Sequence, residues 1–276
     1  MNTDDPTSVA DRSHARPAVA VAVGRTAVSF PRGERFREPA LPVRDRLIVA
    51  LDLPTLAAAE RMTQALRPTV SWFKVGSELF TAAGPEAVAM VQSHGGRVFL
   101  DLKYHDIPTT VARAVAAAAR LGVAMVTVHL AGSVQGLRAI ADALASGGAR
   151  AGRQPGARPW LLGVTRLTSL EGSTTTETVI GAAQLALRSG FDGVVASARE
   201  AAAIKHDCGN GFVVVAPGIR PPGSEPHDQR RIATPTEALS AGADYLVIGR
   251  PIVAAASPTL ALEQVLAEME SVGVGK

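Results

Sequence analysis

The chain has 276 residues, of which 47% are hydrophobic, enough to bury the core of one large domain or two small ones. Aromatic residues make up only 4%, so the core is expected to consist mostly of alanine, valine, leucine and isoleucine. Cys208 is the only cysteine, which excludes an intrachain disulfide and fits a reducing, cytoplasmic setting.

The charge distribution argues against a nucleic-acid-binding protein. Residues 1–44 hold seven arginines and five acidic residues, which leaves 21 basic and 20 acidic residues in 45–276. The longer segment is therefore nearly neutral, without the basic block that follows a phosphate backbone. No apolar run approaches the roughly 18 residues of a membrane span, which argues against a membrane protein.

Two segments differ in pattern. Residues 1–44 are rich in alanine, arginine and proline without a sustained period, which predicts a disordered or loosely attached N-terminal extension. Regular alternation begins at residue 45, so residues 45–276 are predicted to form a single domain.

Eight short apolar runs mark this domain, separated by alanine-rich stretches. Such runs are typical of parallel strands that are covered on both faces. The runs are 47–53, 72–76, 97–103, 124–130, 160–167, 192–197, 212–218 and 244–249.

The stretches between the runs predict helices, among them 110–122, 176–190 and a final amphipathic helix at 258–270. Eight strand–helix units in about 230 residues predict an α/β fold of the (β/α)8 TIM-barrel type. The alternative is an open doubly wound sheet, which usually has a glycine-rich turn after its first strand. Here the first run continues as LDLPT.

Charged residues follow the first three predicted strands. Asp52 and Lys74 lie at the ends of the first and second, and Asp101 and Lys103 at the end of the third. Asp101 and Lys103 are two residues apart and should point to one side of the strand. Because the active sites of barrels lie at the C-terminal ends of strands, these residues are candidate catalytic groups. The alternative interpretation is a structural ring of ion pairs.

The last two strands end in APGIR and VIGRP, which contain Gly218, Arg220, Gly249 and Arg250. Loops after the seventh and eighth strands often bind phosphate in this fold, and a guanidinium matches phosphate geometry. Turn glycines next to surface arginines are the alternative for either motif alone.

Other candidates are set aside. The histidines show no HxH or HExxH spacing, so no metal site is predicted. His129 lies in an apolar run and is expected to be a core histidine, and Cys208 has no evident activating partner. Trp72 and Trp160 are expected in the core.

The segment FLDLKYHDIPTTV, residues 99–111, closely resembles the signature of the orotidine 5′-phosphate decarboxylase family, in its bacterial form. The resemblance extends from about Leu47 to the C-terminal helix. Further matching motifs follow in order: ALD at Asp52, FKVGSELF at Lys74, VTRLTS at Thr168, APGIR at Arg220, DQRRIATP from Asp228 and VIGRPI at Arg250.

The resemblance implies a role for each matching residue. Lys103 would protonate C6 of the pyrimidine, and Asp101 would lie beside the departing carboxylate. Asp106 and Thr110 would reach the site of a neighbouring subunit in a homodimer with shared active sites. Asp52 and Lys74 would hold ribose hydroxyls, and Thr168 would contact the base. The phosphate would be bound by Arg220, Gln229, Gly249 and Arg250.

The implied reaction converts orotidine 5′-phosphate to UMP without metal or cofactor, because a protonated lysine both balances and protonates the carbanion left at C6. The nearest alternative is a Mg²⁺-dependent sugar-phosphate decarboxylase or aldolase of the same superfamily. A ribulose-phosphate epimerase would need metal-binding histidines, which are not found. A non-catalytic nucleotide-binding barrel would be expected to lack Lys103.

Overall fold

The computed structural model describes residues 42–147, 158–165, 175–222 and 232–272. Eight parallel strands close into a barrel in which each strand pairs with its neighbours in chain order and β8 pairs with β1. The strands are β1 (Leu47–Ala50), β2 (Trp72–Gly76), β3 (Arg97–Tyr104), β4 (Met125–His129), β5 (Trp160–Val164), β6 (Gly193–Val195), β7 (Val213–Ala216) and β8 (Tyr245–Ile248). The predicted TIM barrel is confirmed.

Most strands stop before the polar ends of the predicted runs. β1 ends at Ala50, so Asp52 lies in the loop that follows the strand. β2 and β3 are the exceptions, because β2 spans its whole predicted run with Lys74 inside it, and β3 continues to Tyr104 with its charged residues inside the strand. Charged residues therefore reach the C-terminal rim in two ways, from the loop after β1 and from within β2 and β3.

Helices cover the outside of the barrel. They are α1 (Leu56–Leu66), α2 (Ser77–Ala83), α3 (Glu86–Ser93), α4 (Pro108–Arg120), α5 (Val134–Gly147), α6 (Thr176–Arg188), α7 (Ala198–Cys208), α8 (Pro235–Ser240), α9 (Arg250–Val253) and α10 (Pro258–Ser271). None of the helices in the described ranges is long and apolar enough to cross a membrane.

Local sequence sets the helix boundaries. Hydroxyl side chains accept amide hydrogen bonds at the N-caps of α1, α6 and α8, where the residues are Thr55, Thr175 and Thr234. Glycine follows α4 and α6 in the left-handed conformation common at helix C-termini, with φ of 78° at Gly122 and 83° at Gly190. These caps fix where each chain segment turns back toward the next strand.

Two apolar layers hold the barrel together. The larger lies between the sheet and the helices, and the smaller fills the barrel interior. At the N-terminal end of the interior, the rings of Trp72 and Trp160 pack edge-on against Tyr245, with centroids 5.5 and 5.8 Å away. Trp72 is buried as predicted, whereas Trp160 is partly exposed. These rings lie at the starts of β2, β5 and β8, at the end of the interior opposite the C-terminal rim.

The chain enters the barrel through a short 3-10 helix, Val43–Arg46. The predicted boundary between residues 44 and 45 lies inside this turn, and most of the predicted extension, residues 1–41, lies outside the described residues. Val43 packs against the core, and the Arg46 guanidinium donates hydrogen bonds to the carbonyls of Ala243 and Asp244, at 2.6 and 3.0 Å. This turn is therefore part of the folded unit.

We expect deletion of residues 1–41 to shift the melting temperature by less than about 3 °C, which corresponds to about 1 kcal/mol for a domain of this size. Deletion of residues 1–46 is the matched control. It also removes Val43 and Arg46, and hydrogen bonds from a charged group contribute about 1.5–3 kcal/mol each. Thermal unfolding of both truncated proteins checks this expectation. A fall in melting temperature well above about 3 °C after deletion of residues 1–41 would contradict it.

Candidate active site

Four charged side chains form one continuous chain at the C-terminal rim. Lys74 Nζ lies 2.8 Å from Asp52 Oδ1 and 3.9 Å from Asp101 Oδ2. Lys103 Nζ lies 2.7 Å from the same oxygen, Asp101 Oδ2. The signs alternate from Asp52 through Lys74 and Asp101 to Lys103, so that each lysine faces a carboxylate. The structure thus brings together the four residues that the strand-end pattern singled out.

Burial changes along this chain of charges. The side chains of Asp101 and Lys74 are only 9% and 11% exposed, whereas those of Lys103 and Asp52 are 34% and 51% exposed. An unpaired buried carboxylate would be costly, but Asp101 has a lysine on either side. The free faces of Lys103 and Asp52 are the ones that a bound molecule could contact.

The backbone of β3 is irregular where it carries these residues. Leu100 pairs with Val126 and Tyr104 pairs with Val128, so the three residues between them oppose the single residue Thr127. Lys103 has φ of 50°, and among the described residues it alone is a non-glycine residue with positive φ. Such a conformation costs about 1–3 kcal/mol and is commonly found at functional sites.

Thr127 completes this arrangement and was not among the predicted site residues. Its side chain is fully buried, its hydroxyl accepts a hydrogen bond from the Lys103 amide at 2.9 Å, and it donates to Asp101 Oδ1 at 3.0 Å. The sequence contains one signal for it, a lone hydroxyl inside the apolar strand MVTVH. Such a hydroxyl needs a partner when buried, but the pattern does not reveal which partner.

Gly76 and Gly249 leave room for the side chains of Lys74 and Asp52. An added Cβ on Gly76 would lie 2.9 Å from Lys74 Nζ and 3.0 Å from Asp52 Oδ1. One on Gly249 would lie 3.3 Å from Ala50 Cβ and 3.7 Å from Asp52 Oδ2. The absence of a side chain at Gly76 therefore lets the Lys74 side chain pass over the Gly76 backbone to reach Asp52. Gly249 allows the end of β8 to lie next to the Asp52 carboxylate.

Asp106 and Thr110 are not members of this series of ion pairs. Both are exposed, and Asp106 Oδ1 accepts a hydrogen bond of 2.6 Å from the Ile107 amide just before α4. No ion pair within the described ranges includes Asp106. Ile107, beside it, is 66% exposed, which is unusual for a large apolar side chain.

A cavity next to Asp106 is lined by residues of β3, β4, α4 and α5, including Tyr104, His105 and His129. The rings of His105 and His129 are 5.2 Å apart. Burial lowers the pKa of His129, and His105 and Lys103 lower it further when charged, so the imidazole is neutral near pH 7. The prediction that His129 is a core histidine is therefore wrong, because its side chain is partly exposed and lines this cavity.

The other predicted groups follow β7 and β8. Arg220 is 6% exposed, its amide donates to the Ala233 carbonyl and its guanidinium donates to the Ile219 carbonyl. Gly218 has φ of 76° and turns the chain out of β7. Arg250 begins α9 with an exposed side chain. Thr168 and Gln229 lie outside the described residues.

Metal-binding and thiol chemistry receive no support from the side chains described. No group of three or more histidine, cysteine, aspartate or glutamate side chains in these ranges is arranged to hold a metal ion. Burial raises the pKa of the Cys208 thiol to about 11, and the nearby Asp207 carboxylate adds to this effect. The thiol is therefore protonated and unreactive near neutral pH.

The fold and the rim define a (β/α)8-barrel protein whose candidate site is a chain of alternating charges. Residues 45–265 match the model of the orotidine 5′-phosphate decarboxylase / HUMPS family, and the chain belongs to this family. The resemblance noted for residues 99–111 is thereby confirmed.

Individual relatives agree with this placement. The chain is 51% identical over 239 residues to the orotidine 5′-phosphate decarboxylase of Moorella thermoacetica, covering 83% of this chain and 94% of the relative. It is 46% identical to that of Syntrophotalea carbinolica, with coverage of 82% and 95%. Among solved structures, orotidine 5′-phosphate decarboxylase from Lactobacillus acidophilus matches with a TM-score of 0.69 and 35% identity, covering 82% of this chain and 99% of that one.

Replacing Gly76 with alanine tests the crossing of Lys74. Gly76 has φ of −97°, which alanine adopts without strain, so the only conflict is with the Lys74–Asp52 ion pair. We expect Gly76→Ala to fold, because the Lys74 ammonium is the flexible end of its side chain. A crystal structure should show the Nζ–Oδ1 distance lengthened from 2.8 Å to beyond 4 Å.

Gly181→Ala is the matched control for this substitution. An added Cβ on Gly181, in the middle of α6, meets nothing within 4 Å. Alanine there should stabilise the helix by about 0.5–1 kcal/mol and leave the ion pair unchanged. An unaltered Lys74–Asp52 pair in Gly76→Ala would show that the glycine is not required for the crossing.

Proposed function

We propose that this protein decarboxylates orotidine 5′-phosphate to UMP and carbon dioxide, the last step of de novo pyrimidine nucleotide synthesis. The observation that carries the proposal is the Asp101–Lys103 pair, 2.7 Å apart at the end of β3 in a chain of this family. The pair places a cation beside a carboxylate, as the reaction requires, and membership of the family indicates the class of substrate.

Lys103 is the proposed general acid. When the bond between C6 and the carboxylate breaks, its electron pair stays on C6, where no π system delocalises it. The Lys103 ammonium stabilises that charge and donates its proton to C6, and it regains a proton from solvent after product release. Asp101 holds the ammonium in place, because its Oδ2 accepts a hydrogen bond from Lys103 Nζ at 2.7 Å.

Asp101 has a second proposed role beside the departing carboxylate group. Because Asp101 lies beside Lys103, a substrate carboxylate placed near the lysine would also lie next to the negative charge of Asp101 before the bond breaks. Asp52 and Lys74 are proposed to hold the ribose hydroxyls, since Asp52 presents an exposed carboxylate at the rim. Thr168 is proposed to contact the base.

The phosphate is proposed to bind after β7 and β8, through Arg220, Gln229, Gly249 and Arg250. Arg250 supports this assignment because its exposed guanidinium follows Gly249, which packs beside Asp52. Binding energy gained at a remote phosphate can be used to hold the pyrimidine in the reactive geometry, which raises turnover as well as affinity.

We further propose a cytoplasmic homodimer with shared active sites, in which Asp106 and Thr110 serve the partner's site. Both residues are exposed, and they flank the exposed apolar side chain of Ile107. A second copy of the chain would cover that side chain and bring the Asp106 carboxylate to the neighbouring Lys103, extending the alternating charges by one member. Two-fold symmetry would then complete both sites at once.

The main alternative is a Mg²⁺-dependent decarboxylase or aldolase that acts on a sugar phosphate. The Lys103-to-Thr110 motif KYHDIPTT and the relatives named above favour the nucleotide enzyme. The proposed reaction needs no metal and no organic cofactor, since Lys103 supplies both counter-charge and proton.

A direct assay separates these functions. Incubation with orotidine 5′-phosphate should remove the orotate absorbance, and EDTA should leave the rate unchanged. Loss of activity in EDTA with recovery on adding Mg²⁺ would favour the sugar-phosphate enzymes, as would turnover of a 3-keto sugar phosphate. Absence of turnover with tight UMP binding would indicate a non-catalytic nucleotide-binding barrel.

Arg250→Ala tests the phosphate assignment. A charged hydrogen bond contributes about 1.5–3 kcal/mol, so kcat/KM for orotidine 5′-phosphate should fall by about 10- to 150-fold. The unphosphorylated nucleoside should be decarboxylated as slowly by the variant as by the wild type. Arg61→Ala, which removes an exposed arginine from α1, is the control and should affect neither substrate. Equal losses on both substrates would refute the assignment.

Mixing two inactive variants tests the shared site. Lys103→Ala and Asp106→Ala should each be nearly inactive, and subunit exchange in an equal mixture makes about half of the dimers mixed. One site of each mixed dimer then has an intact lysine and an intact aspartate, so about a quarter of the wild-type activity should return. If Asp106 serves its own chain, the mixture stays inactive although exchange is demonstrated with labelled subunits.

A further inference from the structure

The end of β3 poses a problem that the backbone alone does not solve. Three residues of β3 oppose one residue of β4, and Lys103 lies in the left-handed region. The regular ladder between the two strands is interrupted there, so the Lys103 amide needs a partner other than the paired carbonyls of β4. That partner is the hydroxyl of Thr127, at 2.9 Å.

The direction of this hydrogen bond determines where the hydroxyl proton points. Because the Lys103 amide donates to Thr127 Oγ1, the proton of that hydroxyl is free to be donated onward. Asp101 Oδ1 accepts it at 3.0 Å. A relay therefore runs from the Lys103 amide through Thr127 to the Asp101 carboxylate, while Asp101 Oδ2 binds the ammonium of the same lysine.

Thr127 thus holds both ends of the Asp101–Lys103 pair. Its hydroxyl fixes the backbone of Lys103, and it orients the carboxylate so that Oδ2 faces the ammonium. Thr127 is fully buried, so a water molecule from bulk solvent cannot readily take its place. Thr127 can therefore set the geometry of the Asp101–Lys103 pair from a buried position, without being exposed at the site itself.

We propose that Thr127 is a positioning residue for the decarboxylation: its hydroxyl, acting through Lys103 and Asp101, holds the ammonium where C6 is protonated. The inference rests on the proposed function, since it assigns the residue to that reaction. It predicts a selective effect on the chemical step, because Thr127 lies beneath the pair and not among the residues proposed to bind ribose or phosphate.

The test is Thr127→Val, which keeps the shape of the side chain and removes the hydroxyl. We expect kcat for orotidine 5′-phosphate to fall at least 30-fold, while KM and the dissociation constant for UMP change less than threefold. Thr127→Ser restores the hydroxyl without the methyl group and should return kcat to within threefold of wild type. This rescue separates the hydrogen bonds from packing.

Thr63→Val is the matched control. Thr63 is also fully buried, and its hydroxyl donates to the Ala59 carbonyl one turn earlier in α1, at 2.8 Å. The same chemical change there should lower the melting temperature with kcat unchanged. If Thr127→Val and Thr63→Val both kept wild-type kcat, the inference would be overturned. A kcat loss accompanied by an equal loss of UMP affinity would also overturn it, since that indicates general distortion.

Thr127→Cys carries the test if the valine variant does not fold, because a thiol keeps the volume and forms much weaker hydrogen bonds. A folded cysteine variant with low kcat supports the inference, and one with wild-type kcat overturns it. If neither variant folds, the role is structural and the inference fails. Failure of the proposed function is a separate outcome, since the wild-type protein itself would then not decarboxylate the nucleotide.

Discussion

The carboxylate of Asp101 is the point on which the rest of the site depends. It is nearly buried, and it receives the Lys103 ammonium, the Lys74 ammonium and the Thr127 hydroxyl. A buried carboxylate of this kind is stable only while its partners remain in place. Each partner comes from a different strand: Lys74 from β2, Lys103 from β3 and Thr127 from β4. The pairing of these strands in the barrel therefore keeps the buried carboxylate stable.

The barrel geometry also explains why the cluster lies at one end. The aromatic residues Trp72 and Tyr245 pack together near the starts of their strands, and Lys74 lies two residues further along β2. The strands are parallel, so all their C-terminal ends meet at the opposite rim. Gly76 and Gly249 then keep that rim open enough for the Lys74–Asp52 pair to cross it.

Much of this could be predicted from the sequence, because local patterns carried it. The eight apolar runs predicted the eight strands, and the stretches between and after them predicted helices such as α4 and α10. The charged residues at the ends of the first three runs correctly identified the four side chains that meet at the rim, because the C-terminal ends of parallel strands all lie on one side of the barrel. Strand ends were less accurate, as β1 shows, because polar residues that follow a strand look the same as residues within it.

The remainder depends on contacts that no local pattern encodes. The bulge opposite Thr127 and the positive φ of Lys103 arise from the pairing of β3 with β4, which is known only once the register is fixed. His129 was expected in the core because its neighbours are apolar, yet the loop after β3 leaves it at the edge of a cavity. The role proposed for Asp106 requires a second copy of the chain, and no local pattern encodes such an arrangement.

Chemical replacement of the Lys103 ammonium tests the central claim most directly. Lys103→Cys should be nearly inactive. Alkylation with 2-bromoethylamine at about pH 8.5 converts the new cysteine to S-(2-aminoethyl)cysteine, whose side chain has a sulfur atom in place of the γ-methylene of lysine. Cys208 should react slowly because its pKa is raised to about 11. We predict that complete modification restores activity by at least 100-fold. Activity within tenfold of wild type before modification, or no recovery after it, would contradict the account.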